Sequence, residues 1–88
     1  MSKKIIKFYA DWCTPCKVIK PIFNELEKQY TDIIFESCNI ETNQELSNKY
    51  EIKSVPYFIF LNNDKIVNEL VGSDSISLKN KTKELNEK

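Results

Sequence analysis

The chain has 88 residues, 41% of them hydrophobic, which suffices for one small domain and leaves no room for a second core. Thirteen lysines balance thirteen acidic residues, so the charge argues against nucleic acid or an anionic membrane surface as the main partner. The start of the chain fits neither a secretory signal nor a membrane span, and three cysteines are too few for a disulfide framework. We therefore expect one domain over residues 1–88, monomeric and located in the reducing cytoplasm.

The first predicted elements are a strand and a helix. Residues 3–10 (KKIIKFYA) are apolar and rich in strand formers, so the strand should end at residue 9 or 10. Thr14-Pro15 then offers a cap and a proline at the first helical position. Apolar residues recur at spacings of three and four: Val18, Ile19, Ile22, Phe23, Leu26 and Tyr30. Pro21 should bend this helix without ending it, because the apolar pattern continues in phase beyond it.

The pattern in the rest of the chain predicts five further elements: a strand, a short helix, a hairpin of two strands and a last helix. Residues 32–40 indicate a strand, and TNQE at 42–45 has the pattern of a capping box that opens a short helix. Residues 56–72 indicate two strands joined by a tight turn at Asn62-Asn63-Asp64. From Ser73 onward the pattern is that of a weaker helix, whose inner face would be formed by Leu78, Thr82 and Leu85.

The predicted order is therefore β-α-β-α-β-β-α, which indicates an α/β fold. A strand–helix–strand unit implies two parallel strands with a right-handed crossover, and the hairpin adds antiparallel strands to the same sheet. The result is a mixed four-stranded sheet with helices on both faces.

Cys13 and Cys16 stand three positions apart where the first helix should begin. At a helix N-terminus the free N–H groups and the dipole favour a thiolate at Cys13. A pair placed there, at the carboxyl end of a strand and exposed, could attack a disulfide and then resolve the mixed disulfide. The alternatives are a zinc site or two ordinary thiols. Zinc is disfavoured, because the chain has no histidine and Cys38 is alone.

Two stretches carry a family resemblance: FYADWCTPCK at residues 8–17 and IKSVPYFIFLNNDKIVNELVG at residues 52–72. In motif and spacing they resemble the thioredoxin family, from about Ile5 to Gly72. The resemblance implies that Cys13 is the attacking nucleophile and Cys16 the resolving thiol. It also implies that the redox-active disulfide needs no bound cofactor and no metal.

The same resemblance assigns a substrate groove around the pair. Trp12 would shield the cysteines, Pro56 would be a cis-proline facing the disulfide, and Gly72 would line the groove. The remaining substrate contacts would come from Thr14, Pro15, Val55 and Tyr57, with the Val55 backbone turned toward an extended substrate strand. Alternatively, Trp12 is a core aromatic residue and Pro56 a trans proline at a strand start.

Lys7 departs from the family pattern. Six residues before the first cysteine the family typically has a buried acid that handles the proton of the resolving thiol. Here Lys7 is either an edge lysine that reaches solvent along its stem, or a cation near Cys16 that favours its thiolate. Tyr57, where the family often has threonine, would narrow the groove or be a half-buried strand residue. Because the first predicted strand lies almost at the start of the sequence, we expect the fold to lack the extra N-terminal strand and helix usual in thioredoxins.

The sequence thus predicts a thioredoxin-like protein-disulfide reductase. Its partners would be disulfide-containing proteins and an electron donor such as a thioredoxin reductase or glutathione. Two alternatives stay open: a glutaredoxin-like, glutathione-dependent oxidoreductase, and a non-catalytic binding module with the same fold. Cys38 is expected to be a buried free cysteine with no part in the exchange.

Overall fold

The computed structural model describes residues 2–88. Within them the elements follow the predicted order: β1 (Lys3–Tyr9), α1 (Thr14–Gln29), β2 (Ile33–Asn39), α2 (Gln44–Lys49), β3 (Tyr57–Asn62), β4 (Lys65–Val71) and α3 (Ser75–Asn86). None of the helices in this part of the chain combines the length and apolar composition that crossing a membrane requires.

The four strands form one mixed sheet in the order β2-β1-β3-β4. β1 runs parallel to β2 and antiparallel to β3, and β4 continues the sheet as the antiparallel partner of β3. β1 is therefore an interior strand, paired on both sides. Lys7 lies in its middle, opposite Ser37 of β2 and Phe58 of β3.

Alternation along the strands separates two cores, one on each face of the sheet. On one face α1 and α3 cover a core that includes Ile5, Phe23, Phe58 and Leu78. On the other face, α2 residues pack against the buried set Ile6, Phe8, Cys38, Ile59 and Leu61. The predicted placement of helices on both faces is confirmed.

The hairpin turn and the last helix also follow the prediction. Asn63 and Asp64 adopt positive φ angles of 53° and 68°, as the favoured two-residue hairpin turn requires. In α3 the buried residues are Leu78, Thr82 and Leu85. The first helix continues through Pro21 to Gln29, and its buried face includes Ile19, Phe23 and Leu26.

Two predicted helix caps are wrong by one residue. α1 is capped by the sulfur of Cys13, so Thr14 is already its first residue and Pro15 its second. α2 is capped by Asn43, whose side chain accepts a hydrogen bond from Leu46 N–H, so TNQE is not a capping box. Both errors have one cause. Two neighbouring residues with suitable side chains stand at each helix start, and only the backbone angles decide which becomes the cap, the earlier one in α1 and the later one in α2.

Candidate active site

The two motif cysteines lie in the loop after β1 and the first turn of α1, joined by a disulfide bond with a Cα–Cα distance of 5.3 Å. Cys13 caps the helix, and its sulfur accepts a hydrogen bond from Cys16 N–H at 3.2 Å. A free backbone donor of the first helical turn thus points at Cys13 Sγ. The same donor would stabilise negative charge on that sulfur after reduction.

Both cysteines are nearly covered, contrary to the exposed site expected from the sequence. Cys13 is 3% and Cys16 4% exposed, and with Ala10 they form a small apolar cluster. Tyr9, Ile40 and Val55 pack against this cluster. Sequence reasoning missed Ile40, which the parallel pairing of β2 with β1 carries to the same end of the sheet.

Trp12 stands beside the covered pair but is itself 66% exposed, so its interpretation as a core aromatic residue is wrong. Thr14 and Pro15, which separate the cysteines, are also exposed. The indole and these two residues therefore form accessible surface directly next to the disulfide. A large exposed aromatic ring beside an otherwise covered reactive bond is suited to contact a second molecule.

The Val55-Pro56 segment, which lies directly before β3, also reaches the site. The peptide bond between these residues is cis, so the alternative of a trans proline is wrong. Val55 packs against the cysteine cluster, and Pro56 is buried. The Pro56 carbonyl accepts a hydrogen bond from Gly72 N–H at 2.9 Å, which ties the start of β3 to the end of β4.

Gly72 has a φ of 98°, a conformation that side-chain-bearing residues rarely adopt, and the space where a Cβ would lie is open. Tyr57 is half-buried, and its hydroxyl donates a hydrogen bond to the Glu69 carboxylate. This hydrogen bond, with smaller contributions from burial and the Glu69 charge, raises the pKa of Tyr57. Tyr57 is thus hydrogen-bonded across the hairpin to β4.

Lys7 is 4% exposed, and its side chain ends between two aromatic rings. Nζ lies 4.9 Å from the ring centre of Phe23 and 5.3 Å from that of Tyr9. The interpretation as an edge lysine is wrong, because β1 is paired on both sides. Burial, followed by repulsion from Lys20, lowers the pKa of Lys7, while the Glu27 charge opposes the shift.

A cavity of about 350 Å³ brings Lys7 and Cys16 together. Its other lining residues are Tyr9, Ala10, Asp11, Lys17, Lys20 and Ser37. Sequence reasoning missed Ser37. The strand register, which no local pattern reveals, sets it directly opposite Lys7.

Cys38 lies apart from this site, as a free thiol buried in the core on the α2 side of the sheet. Its sulfur contacts the Asn43 carbonyl at 3.7 Å, and burial together with the Glu36 charge raises its pKa. A thiol of this kind is a poor nucleophile. Within residues 2–88 no group of three or more potential metal-ligating side chains is found together.

The chain matches the Thioredoxin family profile over residues 1–84. It is 39% identical over 82 residues to Thioredoxin H5 of Oryza sativa subsp. japonica, covering 93% of this chain but 61% of that protein. It is 37% identical to the thioredoxin of Mycoplasmoides gallisepticum, with coverage of 96% and 81%. The crystal structure of reduced Schistosoma mansoni thioredoxin superposes with a TM-score of 0.90 at 33% identity, covering 96% of this chain and 79% of the other. In both sequence and fold, the chain belongs to the thioredoxin family.

Proposed function

We propose that the protein is a thiol-disulfide oxidoreductase that reduces disulfide bonds in other proteins through Cys13 and Cys16. The observation that carries this proposal is the cysteine pair at the start of α1, with Cys16 N–H directed at Cys13 Sγ. Membership of the thioredoxin family supports it.

The reaction needs only the two sulfurs. In the reduced protein the Cys13 thiolate attacks one sulfur of the substrate disulfide, forms a mixed disulfide and releases the other substrate sulfur as a thiolate. Cys16 then loses its proton and attacks Cys13 Sγ. The Cys13–Cys16 bond forms, the second substrate sulfur leaves, and the substrate has gained two electrons.

In this proposal, the residues around the cysteine pair form the surface that contacts the substrate. The exposed ring of Trp12 offers an apolar contact, while Thr14 and Pro15 shape the surface between the cysteines. Val55, which packs against the cysteine cluster, and the cis Pro56 that follows it would supply backbone for pairing with an extended substrate segment. The open space at Gly72 leaves room for that segment, and Tyr57 would border it.

A Cys16→Ser variant provides the direct test. It can make the first attack but cannot resolve the product, so a disulfide-containing protein should remain covalently attached to Cys13. Non-reducing electrophoresis with mass spectrometry would identify the bond. The matched control is Cys13→Ser, which should trap nothing, and trapping through Cys16 in that control would contradict the assignment of the nucleophile.

The electron donor separates the proposal from the glutaredoxin-like alternative. We propose a thioredoxin reductase as donor, since the family match is to thioredoxins. Reduction of a mixed glutathione disulfide by the protein with glutathione alone would instead support the alternative. A Cys13→Ser variant that still supports the protein's cellular role would favour a non-catalytic binding module.

A further inference from the structure

Burial of Cys16 opposes the ionisation that the proposed reaction requires of its thiol. To resolve the mixed disulfide it must become a thiolate, yet it is 4% exposed and lies in an apolar cluster with Ala10 and Cys13. Removing a charge from water disfavours the ionised form, so burial alone would keep Cys16 protonated and slow. The helix N-terminus compensates this only in part, because its free donor already points at Cys13.

Burial likewise disfavours the positive charge of Lys7. Its amino group is buried, and among residues 2–88 it has no acidic partner at salt-bridge distance; the ion pair found there joins Lys4 to Glu36. The faces of Phe23 and Tyr9 provide favourable contacts for a cation but carry no net charge. In the oxidised protein the neighbouring sulfurs are neutral too, so they offer this cation no counter-charge.

The cavity that joins the two groups allows each to compensate for the other. Lys7 and Cys16 line the same 350 Å³ space. Lys17 and Lys20 also line it but are exposed, so solvent and salt screen their charges far more than that of Lys7. Asp11 is the acidic residue in the lining, and it too is exposed.

We propose that Lys7 is a positioning residue whose buried ammonium group stabilises the thiolate of Cys16 while Cys16 resolves the mixed disulfide. This inference rests on the proposed function. The Cys16 proton passes to solvent in the open cavity, or to the Lys7 amine where that is neutral. The thiolate then displaces the substrate sulfur from Cys13, and the ammonium loses its anionic partner once the Cys13–Cys16 bond is complete.

The lowered pKa of Lys7 fits this arrangement. In the oxidised protein burial and the Lys20 charge disfavour the ammonium, whereas Glu27 favours it. A thiolate at Cys16 would oppose burial and favour the ammonium again. The other titratable groups facing the cavity are Tyr9 on β1, the exposed Asp11, and Lys17 on α1. The neighbours of Lys7 in the sheet, Ser37 of β2 and Phe58 of β3, carry no charge.

A single-turnover experiment separates the two steps. Reduced protein carrying Cys38→Ala is mixed with a smaller amount of dithiobis(nitrobenzoate), which releases one coloured thiolate when Cys13 attacks and a second when Cys16 resolves. In the otherwise wild-type protein the second phase should have an apparent pKa below the value of about 8.5 for free cysteine. Lys7→Met should raise this apparent pKa by about one unit or more and slow the second phase about tenfold at neutral pH. The first phase should change by less than about twofold in rate.

Two further variants make the outcome decisive. Lys17→Met removes an exposed lysine from the same cavity and should leave both phases unchanged, while Lys7→Gln should behave like Lys7→Met. A second phase with an apparent pKa of 8.5 or above in the wild-type background overturns the inference without any Lys7 variant. So does a second phase that both Lys7 variants leave unaltered. Release of only one coloured thiolate for each dithiobis(nitrobenzoate) consumed in the wild-type background would instead disprove the resolving role of Cys16, and with it the proposed function.

Discussion

At the scale of single residues, the two cysteines are equally buried but differ in the groups that surround their sulfur atoms. Both are nearly covered, but the amide of Cys16 donates to the sulfur of Cys13, whereas Cys16 adjoins the Lys7 cavity. Backbone donors are fixed and always available, while a lysine charge depends on pH. The first attack should therefore be less sensitive to side-chain substitution than the resolving step.

Cys13 of the reduced protein should react with iodoacetamide at pH values well below about 8.5, where a free cysteine is mostly protonated. The reason is the helix N-terminus directed at its sulfur. Mass spectrometry after alkylation at a series of pH values measures the labelling of each cysteine. Cys38 should remain unlabelled over the same pH range, because burial and the Glu36 charge raise its pKa and no helix N-terminus favours its thiolate. Faster labelling of Cys16 than of Cys13 would show that the nucleophile has been assigned to the wrong residue.

Lys7→Met should raise the free energy of unfolding of the oxidised protein at neutral pH. Burial lowers the pKa of Lys7 below its ordinary value of 10.5, so the folded state disfavours the ammonium that the unfolded state retains. As pH rises from the folded pKa toward 10.5, the folded protein releases this proton first, and wild-type stability should increase. The advantage of the variant should therefore shrink over that window. Urea unfolding at pH 7 and pH 9.5 tests this, with Lys17→Met as the control. A variant that is less stable at both pH values would contradict it.

At the scale of secondary-structure elements, each helix begins with a different capping atom. The caps are the Cys13 sulfur for α1, the Asn43 amide for α2 and the Asp74 carboxylate for α3. The first of these caps belongs to the proposed redox site. Oxidation and reduction at Cys13 therefore act directly on the start of α1.

Asp74→Ala should lower the melting temperature, because the Asp74 carboxylate accepts hydrogen bonds from Ile76 N–H and Ser77 N–H and from the Ser77 hydroxyl. The hydrogen bond from the Ser77 backbone is the main cause of the lowered pKa of Asp74. Its contribution should therefore be present above the ordinary pKa of 3.8 and be lost as pH falls through the lower folded value. Asp74→Asn retains a good cap without the charge. It should match the wild type at neutral pH and lack this part of the acid dependence in thermal melts. Equal melting temperatures for Asp74→Ala and the wild type would contradict the assigned cap.

The elements themselves could be predicted from the sequence, because their signals are local. The apolar spacing in α1, the Asn63-Asp64 turn and the inner face of α3 each involve neighbouring residues. The strand order could not be predicted in the same way, because it depends on pairing between distant segments. That is why Lys7 allowed two interpretations until β1 was found between β2 and β3. The packing of Ile40 and Val55 over the cysteines could not be predicted either, because these residues are distant from the cysteines in the sequence.

At the scale of the whole molecule, the cysteine cluster is small and borders the core on the α2 side, because Ile40 and Val55 pack against both. The cores contain the buried aromatic residues Phe23, Phe58 and Phe60 on one face of the sheet and Phe8 on the other. The third cluster consists of Ala10, Cys13 and Cys16. Breaking the disulfide leaves both large cores in place. The reduced protein should therefore keep the same fold.

The oxidised protein should be more stable than the reduced protein by at most about 2 kcal/mol, since closing so short a loop removes little entropy from the unfolded chain. Denaturant unfolding with and without a thiol reductant measures the difference. The Cys13→Ser/Cys16→Ser double variant is the control, and its stability should not respond to reductant. Disulfide mapping that joins Cys38 to either motif cysteine in the folded protein would contradict the separation of Cys38 from the site.

Pro21 lies one turn beyond Cys16 in α1 and has no N–H to donate, so the carbonyl of Lys17 lacks its usual helical partner four residues later. The start of the helix is therefore joined to the rest by one backbone hydrogen bond fewer than a continuous helix would have. Amide hydrogens in the first turn should exchange with solvent through small local openings, whereas those around Phe23 and Leu26 should exchange only when the core itself opens. Movement at the cysteines is thereby decoupled from the half of the helix that holds the core together.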